Sequence, residues 1–259
     1  MTWNIEGLRR NAHNLHFFLS KYKPDLVFLS EPQIFACDVD HTMDIFSDYK
    51  YYPNLPDDFD CNLPFERQQP KGGTLAMWHS SIDKFVTVSD PPSSSVLPLI
   101  IRLPEAEPSC HIGVYMPTAG LEDQFIVSLS HLESSLLHVK EIVGEDTAFF
   151  VRGDMNASEK NAHRFNLILN MLEKFQMKRV QSVHPTYHHF VGIGGEFDSD
   201  LDVLLYSNRA NIREILNLQI CKDQHPFVES HHDILISSTH LPSRAVSDES
   251  NNSDYELSS

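Results

Sequence analysis

The sequence predicts an α/β fold, and three observations carry that prediction. Helical periodicity alternates with short apolar runs of strand length, several of those runs are apolar at consecutive positions, and turn residues separate them along the whole chain. Leu8, Ala12, Leu15, Leu19 and Tyr22 recur at spacings of 4, 3, 4 and 3, an amphipathic helix that Pro24 ends. The run DLVFLS at 25–30 then reads as a buried strand. Residues 36–71, rich in Asp, Pro and Asn, read as a long irregular surface excursion. Four strands follow, at Gly73–Trp78, Phe85–Val88, Val96–Leu103 and Cys110–Tyr115, with a flexible connection predicted at 90–95, DPPSSS.

Phe125, Leu129, Leu132, Leu136 and Val139 mark a long helix after Gly120. A strand at Thr147–Arg152 leads to a helix marked by Phe165, Ile168, Leu169 and Leu172, with Ser158 as its predicted N-cap. The last third reads as strands at 186–190, 201–206, 212–220 and 232–238. Residues 243–259 are polar and acidic, a composition that favours disorder. The simplest division is one domain over 1–242 followed by that tail.

Composition narrows the function classes. With 259 residues, 41% hydrophobic and 22% charged, the chain has length and apolar content for a sizeable core. Cys37, Cys61, Cys110 and Cys221 lie far apart and form no CxxC, which points to reduced thiols in a nuclear or cytoplasmic protein. No N-terminal apolar segment and no run of about 18 apolar residues occurs, so the expectation is a protein neither secreted nor membrane-spanning. Twenty Lys and Arg against 36 Asp and Glu give a net charge of −16. A nucleic-acid binder usually shows a basic footprint, so any such contact here must be local or metal-assisted.

Polar residues collect at the ends of the apolar runs. In VRGDMNAS, residues 151–158, Asp154 and Asn156 stand two apart, which in extended backbone sets both on one side of a sheet. Asn4 and Glu6, Glu31 after DLVFLS, Tyr115 after CHIGV, Asp202 within SDLDVLLYS, and Ser230-His231-His232 before DILIS share this placement. Each alone is a turn former or cap; strand ends on one side of a sheet converge, and together they suggest a site.

The blocks WNIEGLR (3–9), FLSEPQ (28–33), VYMPTAG (114–120), RGDMNAS (152–158), SDLDVLLYS (199–207) and ESHHDIL (229–235) occur in this order. In that order they resemble the signature blocks of the exonuclease/endonuclease/phosphatase superfamily. HPTYHHF at 184–190, followed by the Ser199–Asp202 pattern, is most like the apurinic/apyrimidinic-type endonuclease domain of non-LTR retrotransposons. The resemblance implies a four-layer α/β/β/α sandwich of two mixed sheets flanked by helices. It implies a divalent-metal-dependent phosphodiester hydrolase that nicks DNA, acting on the phosphate backbone with Mg²⁺ or Mn²⁺. A reverse transcriptase domain would be expected in the parent protein.

By the same resemblance, Glu31 is the principal metal ligand, with Asn4 and Glu6 beside it. Asp154 orients or deprotonates the attacking water, Asn156 supports it, Tyr115 donates to the phosphate, and Asp202 fixes His232. Thr118 and His231 fall at substrate-contacting positions. The chain departs from the family pattern at His231, where Asp is usual, at Thr118, where Asn is common, and at Glu6, where Asp is frequent. The first strand is also expected to be truncated, leaving a sheet edge short. Two other readings stay open: a catalytically decayed relic or interaction module, and a phosphatase acting on phosphoinositide or phospholipid headgroups.

Overall fold

The computed structural model describes residues 1–56, 71–104, 106–145, 147–180, 185–191, 195–208, 211–218 and 230–240, without side-chain detail at 189–191, 195–198, 211–218 and 239–240. The predicted tail at 243–259 lies outside the described residues. So do residues 57–70 of the predicted excursion and 219–220 of one predicted strand.

In chain order the elements are β1 (Thr2–Asn4), α1 (Leu8–Tyr22), β2 (Leu26–Ser30), α2 (Ala36–Met43), β3 (Tyr49–Asn54) and β4 (Thr74–His79). A 3₁₀ turn at Ser80–Phe85 leads to β5 (Val86–Val88), β6 (Val96–Ile101), β7 (Ser109–Tyr115), α3 (Glu122–Val143) and β8 (Ala148–Asp154). Then come α4 (Ala162–Lys174), β9 (Met177–Arg179), β10 (Tyr187–Val191), β11 (Gly195–Ser199), β12 (Asp202–Ser207), β13 (Asn211–Leu218) and β14 (Ile234–His240). One six-stranded sheet runs β13-β14-β1-β2-β4-β3, the other β5-β6-β7-β8-β12-β9, and β10-β11 form a separate ribbon.

Both sheets are mixed: β1–β2 and β7–β8 are parallel, while the other pairs are antiparallel. Strand alternation sorts the apolar side chains into layers. Val27 and Leu29 turn outward to a cluster with Leu15, Phe18 and Leu19 of α1 and Val39 and Met43 of α2. Leu26 and Phe28 turn inward, with Ala76 and Trp78, against Leu97, Leu99 and Ile101 of the second sheet. On the far side of that sheet, Val151 and Val203 pack under Phe125, Leu132 and Leu136 of α3 and Ile168 and Met171 of α4. The layers are therefore α/β/β/α. Sheets covered on both faces explain why β2, β6 and β8 read as continuous apolar runs.

Several local expectations are corrected. Residues 36–56 are not irregular: they form α2 and β3. The helix N-cap is Asn161, whose side chain accepts from the Arg164 amide, while Ser158 only offers its carbonyl to the Asn161 amide. The 90–95 connection is tied down, since the Ser95 carbonyl accepts from the Tyr115 amide and the Ser93 carbonyl from Asn54 Nδ2. The short first strand is not an edge. β1 lies inside its sheet between β14 and β2, and Trp3 is fully buried.

Candidate active site

The topology brings one set of strand ends together. Residues at the C-terminal ends of β1, β2, β7 and β8 meet the N-terminal ends of the antiparallel β12 and β14. Within the second sheet Asp154 is registered beside Tyr115 on one flank and Asp202 on the other. Two glycines let the layers close. A side chain at Gly113 would sit 2.2 Å from the Phe28 ring. One at Gly153, where φ is 139°, would sit 2.0 Å from the Val114 carbonyl oxygen.

Polar bonds then stitch the sheets across this end. Asn4 Nδ2 donates to Asp154 Oδ2 at 2.9 Å, and Ser30 Oγ donates to the Val114 carbonyl at 2.9 Å. Tyr115 donates its hydroxyl to Glu31 Oε1. His232 Nδ1 lies 2.7 Å from Asp202 Oδ2, so the carboxylate holds the proton on Nδ1 and leaves Nε2 facing Asp154 Oδ2 at 4.0 Å. That gap is too long for a direct hydrogen bond and is wide enough for an oxygen atom bridging the two groups.

Asp154 and Asn156 do meet, by a different geometry from the extended pair expected. Asn156 lies past the end of β8 with φ at 46°, a left-handed turn that suits Asn. Its amide donates to Asp154 Oδ1 at 2.8 Å, and its Nδ2 donates to Asp154 Oδ2 at 3.0 Å and to the Met116 carbonyl at 2.8 Å. The carboxylate is thereby fixed by three donors, counting Asn4. Positive φ values also occur at Glu6, Glu31 and Gln33, so unusual backbone gathers around the strand ends.

Electrostatics at this end are dominated by acids. Burial pushes the Asp154 carboxyl up to about 7; His232 pulls it down and Asp202 pushes it further up. Burial alone would favour neutral His232, but Asp202, then Asp154 and Glu6, outweigh it and raise the imidazole to about 9. Burial and then Glu31, Asp154 and Glu6 raise the Tyr115 hydroxyl above its ordinary value, keeping it a proton donor. At neutral pH His232 is therefore an imidazolium facing a carboxyl group that titrates near neutrality.

Glu6 and His231 form a pair of their own at the same end. The His231 amide donates to Glu6 Oε2 at 2.7 Å, and its ring Nδ1 lies 3.0 Å from the same oxygen. Glu6 is thus turned toward β14, while Glu31 faces Tyr115 and Gln33, whose Nε2 is 3.4 Å from Glu31 Oε2. Thr118 lines a cleft of about 880 Å³ that starts at Glu31 and Tyr115 and continues past Arg9, Arg10 and Lys71. Among the described residues no three His, Cys, Asp or Glu side chains form a ligand cage. The hard oxygen donors present, Glu31 at the cleft and Asn4 Oδ1, which also accepts from the Glu6 amide at 3.2 Å, fit a cation such as Mg²⁺ that retains several waters and takes one or two carboxylates. They do not make a structural zinc site, which takes four ligands drawn from Cys and His.

Four residues at or under the site were given no role of their own from the sequence. The Tyr187 ring lies against the His232 ring, centroids 4.8 Å apart and planes tilted by 59°, and Thr186 Oγ1 accepts from the Asp202 amide at 3.0 Å. Ser230 Oγ donates to the Asn4 carbonyl and accepts from the His232 amide. Arg164 is fully buried and donates to the carbonyls of Asn156, Pro117 and Thr118 and to Glu122. The first three sit inside quoted blocks, which was the available signal; Arg164 lies in an ordinary helical pattern and carried none. His188 is half-buried, with Nε2 3.5 Å from Asp233 Oδ2.

No family model matches the chain, and no curated protein matches it in sequence. Solved structures do match it. The endonuclease domain of TRAS1, a telomere-specific non-LTR retrotransposon, superposes with a TM-score of 0.62 at 13% identity, covering 93% of this chain and 97% of that one. The AP endonuclease LMAP from Leishmania major gives 0.66 at 15% identity, over 92% of this chain and 86% of that one. The human Nocturnin catalytic domain gives 0.66 at 14% identity, over 93% and 92% respectively. At such identities the likeness is one of fold: two mixed sheets flanked by helices, the architecture of the endonuclease/exonuclease/phosphatase proteins.

Proposed function

We propose that the chain is a divalent-cation-dependent phosphodiester hydrolase that nicks DNA, of the retrotransposon-endonuclease type. The observation that carries this reading is the line Asp202–His232–Asp154–Asn4, held at 2.7, 4.0 and 2.9 Å across the junction of the two sheets. Phosphodiester hydrolysis needs an oriented water, charge stabilisation on the phosphoryl oxygens and a stabilised leaving oxygen.

Asp154, with its second lone pairs turned from Asn4 and Asn156 toward the gap, takes the proton of a water that attacks phosphorus in line, while the P–O bond opposite breaks and its oxygen leaves as an alcohol that takes its proton from solvent water. His232, charged and aimed by Asp202, donates from Nε2 to a phosphoryl oxygen as negative charge grows there. Tyr115 is a second donor at the same mouth, and Asn156 holds the Asp154 carboxylate against rotation. A divalent cation at Glu31 and Asn4 would supply charge neutralisation for the phosphate when bound. Conversion of supercoiled plasmid to nicked circles tests the reading: we expect nicking with Mg²⁺ or Mn²⁺ and none with chelator or with Asp154→Asn. Equal nicking by Asp154→Asn would sink it.

One observation favours a second substrate class. The net charge of −16 suits a small phosphate ester better than a long polyanion. Release of phosphate from phosphoinositide or phospholipid headgroups, with plasmid left intact, would move the assignment to that class.

A further inference from the structure

The carboxylates that meet at the Asp154 mouth each have a donor of their own. Asp154 holds Asn4 Nδ2 and both the amide and Nδ2 of Asn156. Asp202 Oδ2 lies 2.7 Å from His232 Nδ1, and Glu6 accepts from the His231 amide at 2.7 Å. Glu31 holds the Tyr115 hydroxyl on Oε1. A donor proton and a cation on one carboxylate repel each other, so a carboxylate here takes a cation most readily where its donor can turn away.

Most of these donors cannot. Asn156 Nδ2 is also tied to the Met116 carbonyl, and Asn4 Oδ1 accepts from the Glu6 amide. The His231 donor is a backbone amide, and the His231 carbonyl accepts from the His188 amide at 2.9 Å. His232 is buried, with its own amide bonded to Ser230 Oγ. Tyr115 is different. Its amide donates to the Ser95 carbonyl at 2.9 Å, and the chain passes so close that a side chain at Gly72 would lie 3.0 Å from the ring. The ring is therefore held, but the hydroxyl proton turns about the C–O bond without moving it. A phenol has a single proton to give, and Glu31 and a phosphoryl oxygen compete for it.

We propose that Tyr115 couples cation binding to phosphate binding: its hydroxyl caps Glu31 until a cation is held there, then turns to a phosphoryl oxygen of the substrate. The inference rests on the phosphodiester-hydrolase reading of this site and adds an order to it. A phosphate arriving first meets Glu31, Glu6 and Asp154 with the Tyr115 proton already engaged, in a chain of net charge −16. Arriving second, it finds that proton released. Linkage makes the effect reciprocal, since a phosphate that draws the hydroxyl off Glu31 strengthens the hold of Glu31 on the cation by the same factor.

Calorimetric titration of Mn²⁺ into the full chain and into Tyr115→Phe, without substrate, tests the coupling. Phe keeps the ring beside Gly72, and circular dichroism checks that both chains are folded. We expect the variant to bind Mn²⁺ roughly three- to tenfold more tightly, the scale of one net hydrogen bond, and Glu31→Gln to lose most of the binding heat. In plasmid nicking, Tyr115→Phe should reach half its maximal rate at a lower Mn²⁺ concentration, while that maximum falls roughly tenfold or more. Tighter binding by a chain that lacks a polar group is not the mark of a packing defect. Equal or weaker Mn²⁺ binding by folded Tyr115→Phe overturns the proposal, as does undiminished binding by Glu31→Gln. Calorimetry needs no hydrolysis: plasmid left intact beside the expected difference in Mn²⁺ affinity upholds the coupling and removes the DNA reading.

Discussion

Asp154 and His232 form the centre of the site at the scale of single residues, and their charge states follow from what surrounds them. His232 lies 2.7 Å from Asp202, and its imidazole is raised from 6.5 to about 9 despite burial. A raised histidine contributes stability that is fully present below pH 6.5 and lost as pH rises through about 9. We therefore expect the melting temperature to fall between pH 6.5 and 9, and Asp202→Asn to flatten that fall, as followed by circular dichroism. Arg164 carries a different prediction. Its removal leaves the Asn156, Pro117 and Thr118 carbonyls without their donor, so Arg164→Leu should cost roughly 3–5 kcal/mol in urea unfolding. Glu122, its carboxylate partner, has a side chain 45% exposed, and Glu122→Ala should barely move the midpoint. These residues divide by how legible they were. Asp154, Asn156, Asp202 and His232 stand in recognisable blocks at strand ends. Arg164 does not, because a helical pattern cannot tell a buried arginine that holds three loop carbonyls from one facing water.

Elements place these residues, and one glycine shows how tightly. β7 and β8 run parallel with Val114 beside Gly153, and the backbone there is so close that any Cβ would overlap the Val114 carbonyl oxygen. Gly153→Ala combines that overlap with a φ of 139°, so we expect a loss of roughly 3 kcal/mol or more, read as a lower urea midpoint. The displaced Asp154 should cost hydrolytic activity even where the variant folds. The same scale explains which elements the sequence made visible. β2, β6, β7 and β8 are covered on both faces and therefore mostly apolar. β3, YKYYPN, is an edge strand that tolerates Pro53, and its mixed composition looked like loop. α2 buries only Val39 and Met43, one i, i+4 pair, too little periodicity to stand out from an Asp-rich stretch. β9, three residues at the other sheet's edge, buries only Met177 in the core cluster.

Over the whole molecule the question is how a chain of net charge −16 could hold a polyanion. Field lines from that charge repel a phosphate backbone at every distance within a Debye length, so attraction has to come from a confined place. The cleft leading from Glu31 and Tyr115 is such a place, with Arg9, Arg10 and Lys71 along its wall. Arg9 also pairs at 3.5 Å with Asp38, an exposed contact that a phosphate competes with easily. Each phosphate neutralised by a cation releases counterions, and for duplex DNA the logarithm of affinity falls with the logarithm of salt by about 0.9 per contact. Three cations then predict a slope of about −3, far shallower than the slope of about −10 of a strongly basic repressor. We expect fluorescence anisotropy on a short duplex, using Asp154→Asn with Ca²⁺ to suppress hydrolysis, to give that shallow slope. Arg9→Glu/Arg10→Glu should bring it close to −1, with weaker binding at every salt concentration. A slope unchanged by the double reversal would mean that the backbone follows another path across the strand ends, because removing two of three contacts cannot leave the counterion count intact.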